Sequence, residues 1–419
     1  MKHNKTEKIR TINKKTLVVA LDIGKKVHYG YFRAPSGKDI KPFAFHNTGY
    51  SFDNFWKKLC EFKEKQLLEE VVIGFESTGP YAEPICHYLR SKSVKLVQVN
   101  PMHTKRLKEL TGNSPNKTDK KDPRVIADVI SLGHSLTVIV PEGAAAHLRR
   151  LTQARERAVE SRTAVSNQLQ QLVFLIFPEL VHIIKPSTKT GMYLINHYSD
   201  PKKLLFAGID KLIAIIKKVS RGRLSTDRAE KLYDAAKQSV GIMEGKQSIQ
   251  FEIDHLVSKI ESESNYIKNL ENQMAEYLQK IPYSQSILSI NGIGNITTAG
   301  LIGEIGDFRK FKIVSEVLKL AGLDLYEISS GAHQGNRRIS KRGRALMRKL
   351  LYFAAINTTR KNGILHRPYQ MHLAKGMPRI KALIAIARKL IGIIFALVRD
   401  HSNYIADYSR SQIMFKKAA

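Results

Sequence analysis

Four acidic residues between Leu17 and Asp128 stand at the ends of predicted elements rather than along polar faces. Asp22 closes Leu17-Val18-Val19-Ala20-Leu21, a continuous apolar run of the kind a central buried strand needs. Glu76 closes a second such run, Val71 to Phe75. Asp119 and Asp122 follow a third, Val94 to Val99, beyond a helical pattern and within Lys117-Thr118-Asp119-Lys120-Lys121-Asp122-Pro123. Carboxylates gathered on one rim of a sheet repel one another and raise their own pKa values unless a hard cation lies between them. Such a set implies Mg²⁺ or Mn²⁺. A second chemical feature lies far along the chain, where Ser329-Ser330-Gly331 opens a glycine-rich stretch that runs into Arg337, Arg338, Lys341, Arg342 and Arg344. Tandem serines in such a stretch are usually only a loop, but these cations suffice to hold a phosphodiester beside a hydroxyl.

The elements that would position the acids can be read from periodicity. Val27 to Phe32 and Pro42 to Phe45 read as antiparallel strands turning at Ser36-Gly37-Lys38, and Phe52, Phe55, Leu59 and Phe62 have helical spacing. Another helix starts at Pro84. The order β-β-β-α-β-α-β-α is that of a ribonuclease-H-like α/β domain with a mixed sheet, over residues 17–140 after a basic arm, 1–16. Residues 141–281 read as long helices. Leu148, Leu151, Ala154, Ala158, Val165, Leu169 and Leu172 form one apolar stripe, ending at Phe177-Pro178. Ile249, Leu256 and Leu270, with Ile253, Ile260, Ile267 and Met274, form a heptad seam broken at Glu263, a coiled coil whose partner is the first helix or another copy of the chain. Short helices with a basic loop, Lys217 to Arg223, are inserted between the two. Residues 282–400 form a mainly α C-terminal domain, followed by a tail, 401–419. Its stretch Asn291-Gly292-Ile293-Gly294 suits the hairpin of a helix-hairpin-helix, in which backbone N–H groups approach DNA phosphates.

Composition narrows the partners. The 419-residue chain holds 69 Lys and Arg against 37 Asp and Glu, a formal charge of +32, which concentrates polyanions and above all nucleic acid. Cys60 and Cys86 provide neither a disulfide framework nor a zinc cluster and fit a reducing cytosol. The polar, basic N-terminus lacks the apolar core of a signal peptide, and Arg388 and Lys389 interrupt the apolar stretch Ala382 to Val398, so a soluble protein without a membrane partner is expected. No Gly-Lys-Ser/Thr follows the glycines, which argues against a nucleotide loop.

Taken together and in order, Leu21-Asp22-Ile23-Gly24, Gly74-Phe75-Glu76-Ser77-Thr78-Gly79, Lys117 to Asp122, the Gly292-Ile293-Gly294 hairpin and the Ser-Gly to Ile-Ser-Lys-Arg-Gly stretch resemble the DEDD-type insertion-sequence transposases, the bridge-RNA-guided recombinases. The resemblance implies that Asp22, Glu76, Asp119 and Asp122 are the metal-binding acids of a RuvC-like domain and that Ser330, or Ser329, is a nucleophile forming a covalent phosphoserine link to DNA. It also implies donor and target DNA, a guide RNA and a homo-oligomer, dimer or tetramer, working in the cytoplasm at the nucleoid. Asp122 before Pro123 equally suits an N-cap and first helical position, and Asp128 reads as a supporting acid rather than a fifth ligand. A RuvC-like nuclease or resolvase without a covalent intermediate fits the acids as well and leaves the serine stretch unexplained. No base is evident beside the serines, so their activation would have to come from the metal held by the acids.

Overall fold

The computed structural model describes residues 12–76, 79–111, 122–138, 140–327, 335 and 337–406, in two compact units that divide after residue 139. The first is a mixed-sheet α/β domain. Its strands are β1 (Thr16–Ile23), β2 (Val27–Arg33), β3 (Asp39–His46), β4 (Glu70–Glu76), β5 (Lys95–Val99) and β6 (Ser135–Thr137), in spatial order β3-β2-β1-β4-β5-β6. The meander β1-β2-β3 is antiparallel, β4 and β5 add in parallel, and β6 returns antiparallel on β5. β6 was not foreseen, because three residues are too few to show a period.

Helices α1 (Gly49–Lys65), α2 (Glu83–Arg90), α3 (Pro101–Thr111) and α4 (Asp122–Ser131) accompany the sheet. α4 packs Ile126 and Ile130 on Val18, Ala20, Val72 and Val97. Its approach is close enough that a Cβ at Gly74 would strike the Ile130 side chain, so this strand position needs glycine. The apolar runs are continuous because β1 and β4 lie between helices and are buried on both faces.

Among its described residues, the second unit is helical apart from one short ladder. α5 (Gly143–Ile176) is followed by α6 (Pro178–Ile183), α7 (Lys189–Tyr198), α8 (Pro201–Ala207), α9 (Ile209–Ser220) and α10 (Thr226–Lys237), and then by α11 (Lys246–Gln279). α12 (Ser284–Leu288), α13 (Asn295–Ile305), α14 (Val314–Ala321), α15 (Ala345–Thr358), α16 (His366–Ala374) and α17 (Arg379–Arg399) complete it, with strands β7 (Leu325–Tyr326) and β8 (Arg338–Ile339). Two apolar clusters form the core. One gathers α6 to α10 around Val165, Leu169 and Val173 of α5 and Ile253, Leu256, Val257 and Ile260 of α11; the other joins the opposite ends of the same two helices, at Leu148, Met274 and Leu278, to α12 to α17.

The seam predicted on α11 is buried against α5 of the same chain. Glu263, its one polar interruption, accepts a hydrogen bond from Ser161 Oγ at 2.8 Å, and Arg155 pairs with Glu271 at 2.7 Å. We expect Leu256→Ala to cost about 3 kcal/mol of stability, as truncation of a buried leucine usually does, visible as a lower denaturation midpoint. A wild-type midpoint combined with a smaller oligomeric mass by light scattering would instead put the seam between chains. α17 packs eight of its residues into the core, and no helix among the described residues is long and apolar enough to cross a membrane.

Candidate active site

The register of β1 and β4 decides where the first two acids stand. Leu21 pairs with Phe75, so Asp22 and Glu76 are the next residues on adjacent parallel strands, side by side at the carboxyl ends. Alternation puts both on the face that Val18, Ala20 and Val72 present to α4. Both are half-buried. Asp122 opens α4 as its first residue, with Pro123 second, one position further into the helix than the N-cap and first-position pair expected from sequence. Arg124 lies over the Tyr31 ring and Asp128 pairs with Arg33, so successive turns of α4 follow β2 from the level of Ala20 to that of Val18. The amino end of α4, with Asp122, therefore points toward the strand ends that bear Asp22 and Glu76.

Asp128 is engaged by Arg33, away from those ends. Burial opposes the Arg33 charge, but the hydrogen bonds from Arg33 to Asp128 and Tyr31 outweigh it and raise the guanidinium pKa further. Cys86 is inert as a nucleophile, since burial pushes its thiol up to about 12.

Two residues that sequence reasoning did not single out touch the acids. Thr104 Oγ1, on α3 and 2% exposed, donates to Glu76 Oε1. Lys108, one turn later, holds Asp122 Oδ1 at 2.5 Å from Nζ. The signal was present: His103, Thr104, Leu107 and Lys108 form the inward stripe of α3, and three of the four are polar where an amphipathic helix would place apolar side chains. Asp119 lies outside the described residues, as does the stretch around it, and among the described residues no third carboxylate, histidine or cysteine completes a metal cluster. The adjacent carboxylates Asp22 and Glu76 are oxygen donors of the type Mg²⁺ and Mn²⁺ take, and Asp122 stands at the amino end of α4, held by Lys108.

In the second unit, Ser329 and Ser330 also lie outside the described residues. Their flanks do not. β7 pairs with β8, Leu325 with Ile339 and Tyr326 with Arg338, which brings the two ends of the serine-bearing segment together. Arg337 pairs with Glu327 at 2.9 Å beside this ladder. Arg337, Arg338, Lys341 and Arg342 are exposed, and Lys341 takes a left-handed backbone, φ 53°, a conformation that costs a lysine about 1 kcal/mol. Arg344 turns inward instead. It donates to the Glu304 carbonyl, faces the Glu304 carboxylate at 3.8 Å, and has its pKa lowered to about 10 by burial and by Arg149. Its place beside the cations of the serine stretch thus carries a structural contact that sequence could not show.

The stretch from Asn291 to Gly294 forms the turn between α12 and α13. Gly292, φ 100°, packs against Asn357 and Thr358, where a Cβ would crowd the α15 backbone. Gly294 precedes α13 with open space around it.

Comparison with known proteins bears on both halves of this arrangement. A family model for a DEDD-type IS110 transposase matches residues 19–178, which include Asp22, Glu76, Asp119 and Asp122. A second, for transposases of the IS116/IS110/IS902 family, matches residues 284–370, which include the hairpin glycines, both serines and the following cations. The chain belongs to the IS110 family of insertion-sequence transposases. It is similar to an uncharacterised protein of insertion element IS110 from Streptomyces coelicolor, 23% identical over 92% of this chain and 95% of the relative. An uncharacterised protein of IS900 from Mycobacterium paratuberculosis is 25% identical, with 69% of this chain and 73% of the relative covered. The transposase for insertion sequence element IS1111A of Coxiella burnetii is 22% identical, with 69% and 68% covered. As an IS110-family transposase the chain is a DNA-cleaving and joining enzyme.

Proposed function

We propose that this transposase moves its insertion sequence by divalent-metal-dependent strand cleavage and exchange, through a phosphoserine link to DNA made by Ser330, with Ser329 as the alternative. The observation that carries the reading is the pairing of Asp22 and Glu76 at neighbouring strand ends on one face. Asp22, Glu76, Asp119 and Asp122 would hold Mg²⁺ or Mn²⁺, which supplies electrophilic polarisation of a DNA phosphate. In the covalent step the serine oxygen forms a bond to phosphorus, a phosphodiester P–O bond breaks, and the DNA oxygen that leaves takes up a proton while the serine loses one. One phosphodiester replaces another, so no nucleotide hydrolysis is required. The deciding experiment incubates protein with its element-end DNA and denatures it. A protein–DNA adduct that survives supports the recombinase; cleavage with no adduct under any trapping condition favours a RuvC-like nuclease or resolvase.

We further propose that sequence choice comes from a guide RNA encoded beside the gene, that the working form is a homo-oligomer, a dimer or tetramer, and that the exposed Arg337, Arg338, Lys341 and Arg342 contact phosphate. The charge of +32 supports binding dominated by such contacts. Affinity of RNA-free protein for duplex DNA is expected to fall with salt at a slope of about −0.9 per phosphate neutralised, with little sequence preference. Salt-independent or strongly sequence-selective binding by RNA-free protein would refute this.

A further inference from the structure

The sheet-facing side of α3 places one polar side chain on each of two acids, and the two contacts differ in kind. Thr104 is buried, and its hydroxyl also lies 2.9 Å from the Pro101 carbonyl, so it is fixed within the fold beside Glu76. Lys108 is a third exposed, with a side-chain accessibility of 35% against 16% for Asp122. Its ammonium is a compact point charge on a flexible stem with an open way to solvent, unlike the rigid fork of an arginine. An ammonium and a hard divalent cation seek the same carboxylate lone pairs. They cannot both occupy Asp122 Oδ1, and their charges repel at this range.

We infer that Lys108 is the built-in counter-charge of the acid site: it neutralises Asp122 while no metal is bound, and it swings out to solvent when a divalent cation enters. This rests on the metal-dependent reading of the acids. Lys108 is then a positioning residue. It holds the Asp122 carboxylate at the amino end of α4 while the site waits for metal, and it weakens metal binding by competition.

The test is direct titration of Mn²⁺ into the full chain, followed by calorimetry and by the magnetic resonance signal of free Mn²⁺. Lys108→Met keeps the stem and removes the charge, and it should bind Mn²⁺ about tenfold more tightly than wild type. Lys108→Arg, which retains the charge, should restore affinity to the wild-type value or below it. Asp22→Asn should remove the Mn²⁺ site in either background. If Lys108→Met fails to fold, Lys108→Gln decides by the same titration. Unchanged or weaker Mn²⁺ affinity in the folded neutral variant would overturn the inference and leave Lys108 a purely structural partner. A wild-type chain with no Asp22-dependent Mn²⁺ site would overturn the metal reading itself, and this inference with it.

Discussion

Asp22→Asn is expected to abolish DNA strand cleavage, by on the order of a thousandfold or more, while leaving nucleic-acid binding nearly intact. The substitution keeps the size and planar shape of the side chain, and Asp22 lies at the end of β1 with Leu17 to Leu21 carrying the packing before it. Folding should therefore survive. What is lost is one of two neighbouring negative charges that a divalent cation needs. The check is a cleavage assay on element-end DNA alongside a gel-shift titration. Wild-type cleavage by Asp22→Asn, or by the wild-type protein in excess chelator, would end the metal mechanism.

The second large effect concerns the segment that β7 and β8 close off. Ser330→Ala is expected to remove the denaturation-resistant protein–DNA adduct altogether, because an alanine has no oxygen with which to displace the DNA. An undiminished adduct in that variant would transfer the role to Ser329, and an adduct formed by the Ser329→Ala, Ser330→Ala double variant would rule out both. The exposed cations on β8 and just after it give this test a useful control. Arg338→Ala should reduce DNA affinity without preventing adduct formation at saturating DNA, since a phosphate contact positions the strand rather than breaking it.

Much of the first domain was legible because burial on both faces leaves an unambiguous trace. A strand held between helices must be apolar at every position, and Leu17 to Leu21 and Val71 to Phe75 are. The acids followed from the same fact, since Asp22 and Glu76 interrupt such runs where a strand ends. The α5 and α11 stripes were legible for a related reason: a buried helix face repeats every three to four residues, and here it does so over 34 residues in each helix. What could not be read depends on contacts distant in sequence. Lys108 meets Asp122, Arg344 meets Glu304 from 40 residues away, and Gly292 is shaped by Thr358. No local period encodes these meetings. β7 and β8 were too short to leave any pattern, although they bring together the flanks of the stretch with the sharpest chemical expectation.

The long helices α5 and α11 belong to both apolar clusters of the second unit, one at each end. From Leu148 in one cluster to Val173 in the other, the helical rise amounts to about 38 Å. A pair of helices packed along their length, with Arg155 tied to Glu271 and Ser161 to Glu263 part-way, behaves as a beam rather than a tether. Such a beam has leverage. A tilt of about 10° where it is rooted among α12 to α17 would sweep the far cluster, with α6 to α10, through about 7 Å. Small adjustments where the beam is rooted would thus be felt as large displacements of the inserted helices, and a load on those helices would return as torque on the root.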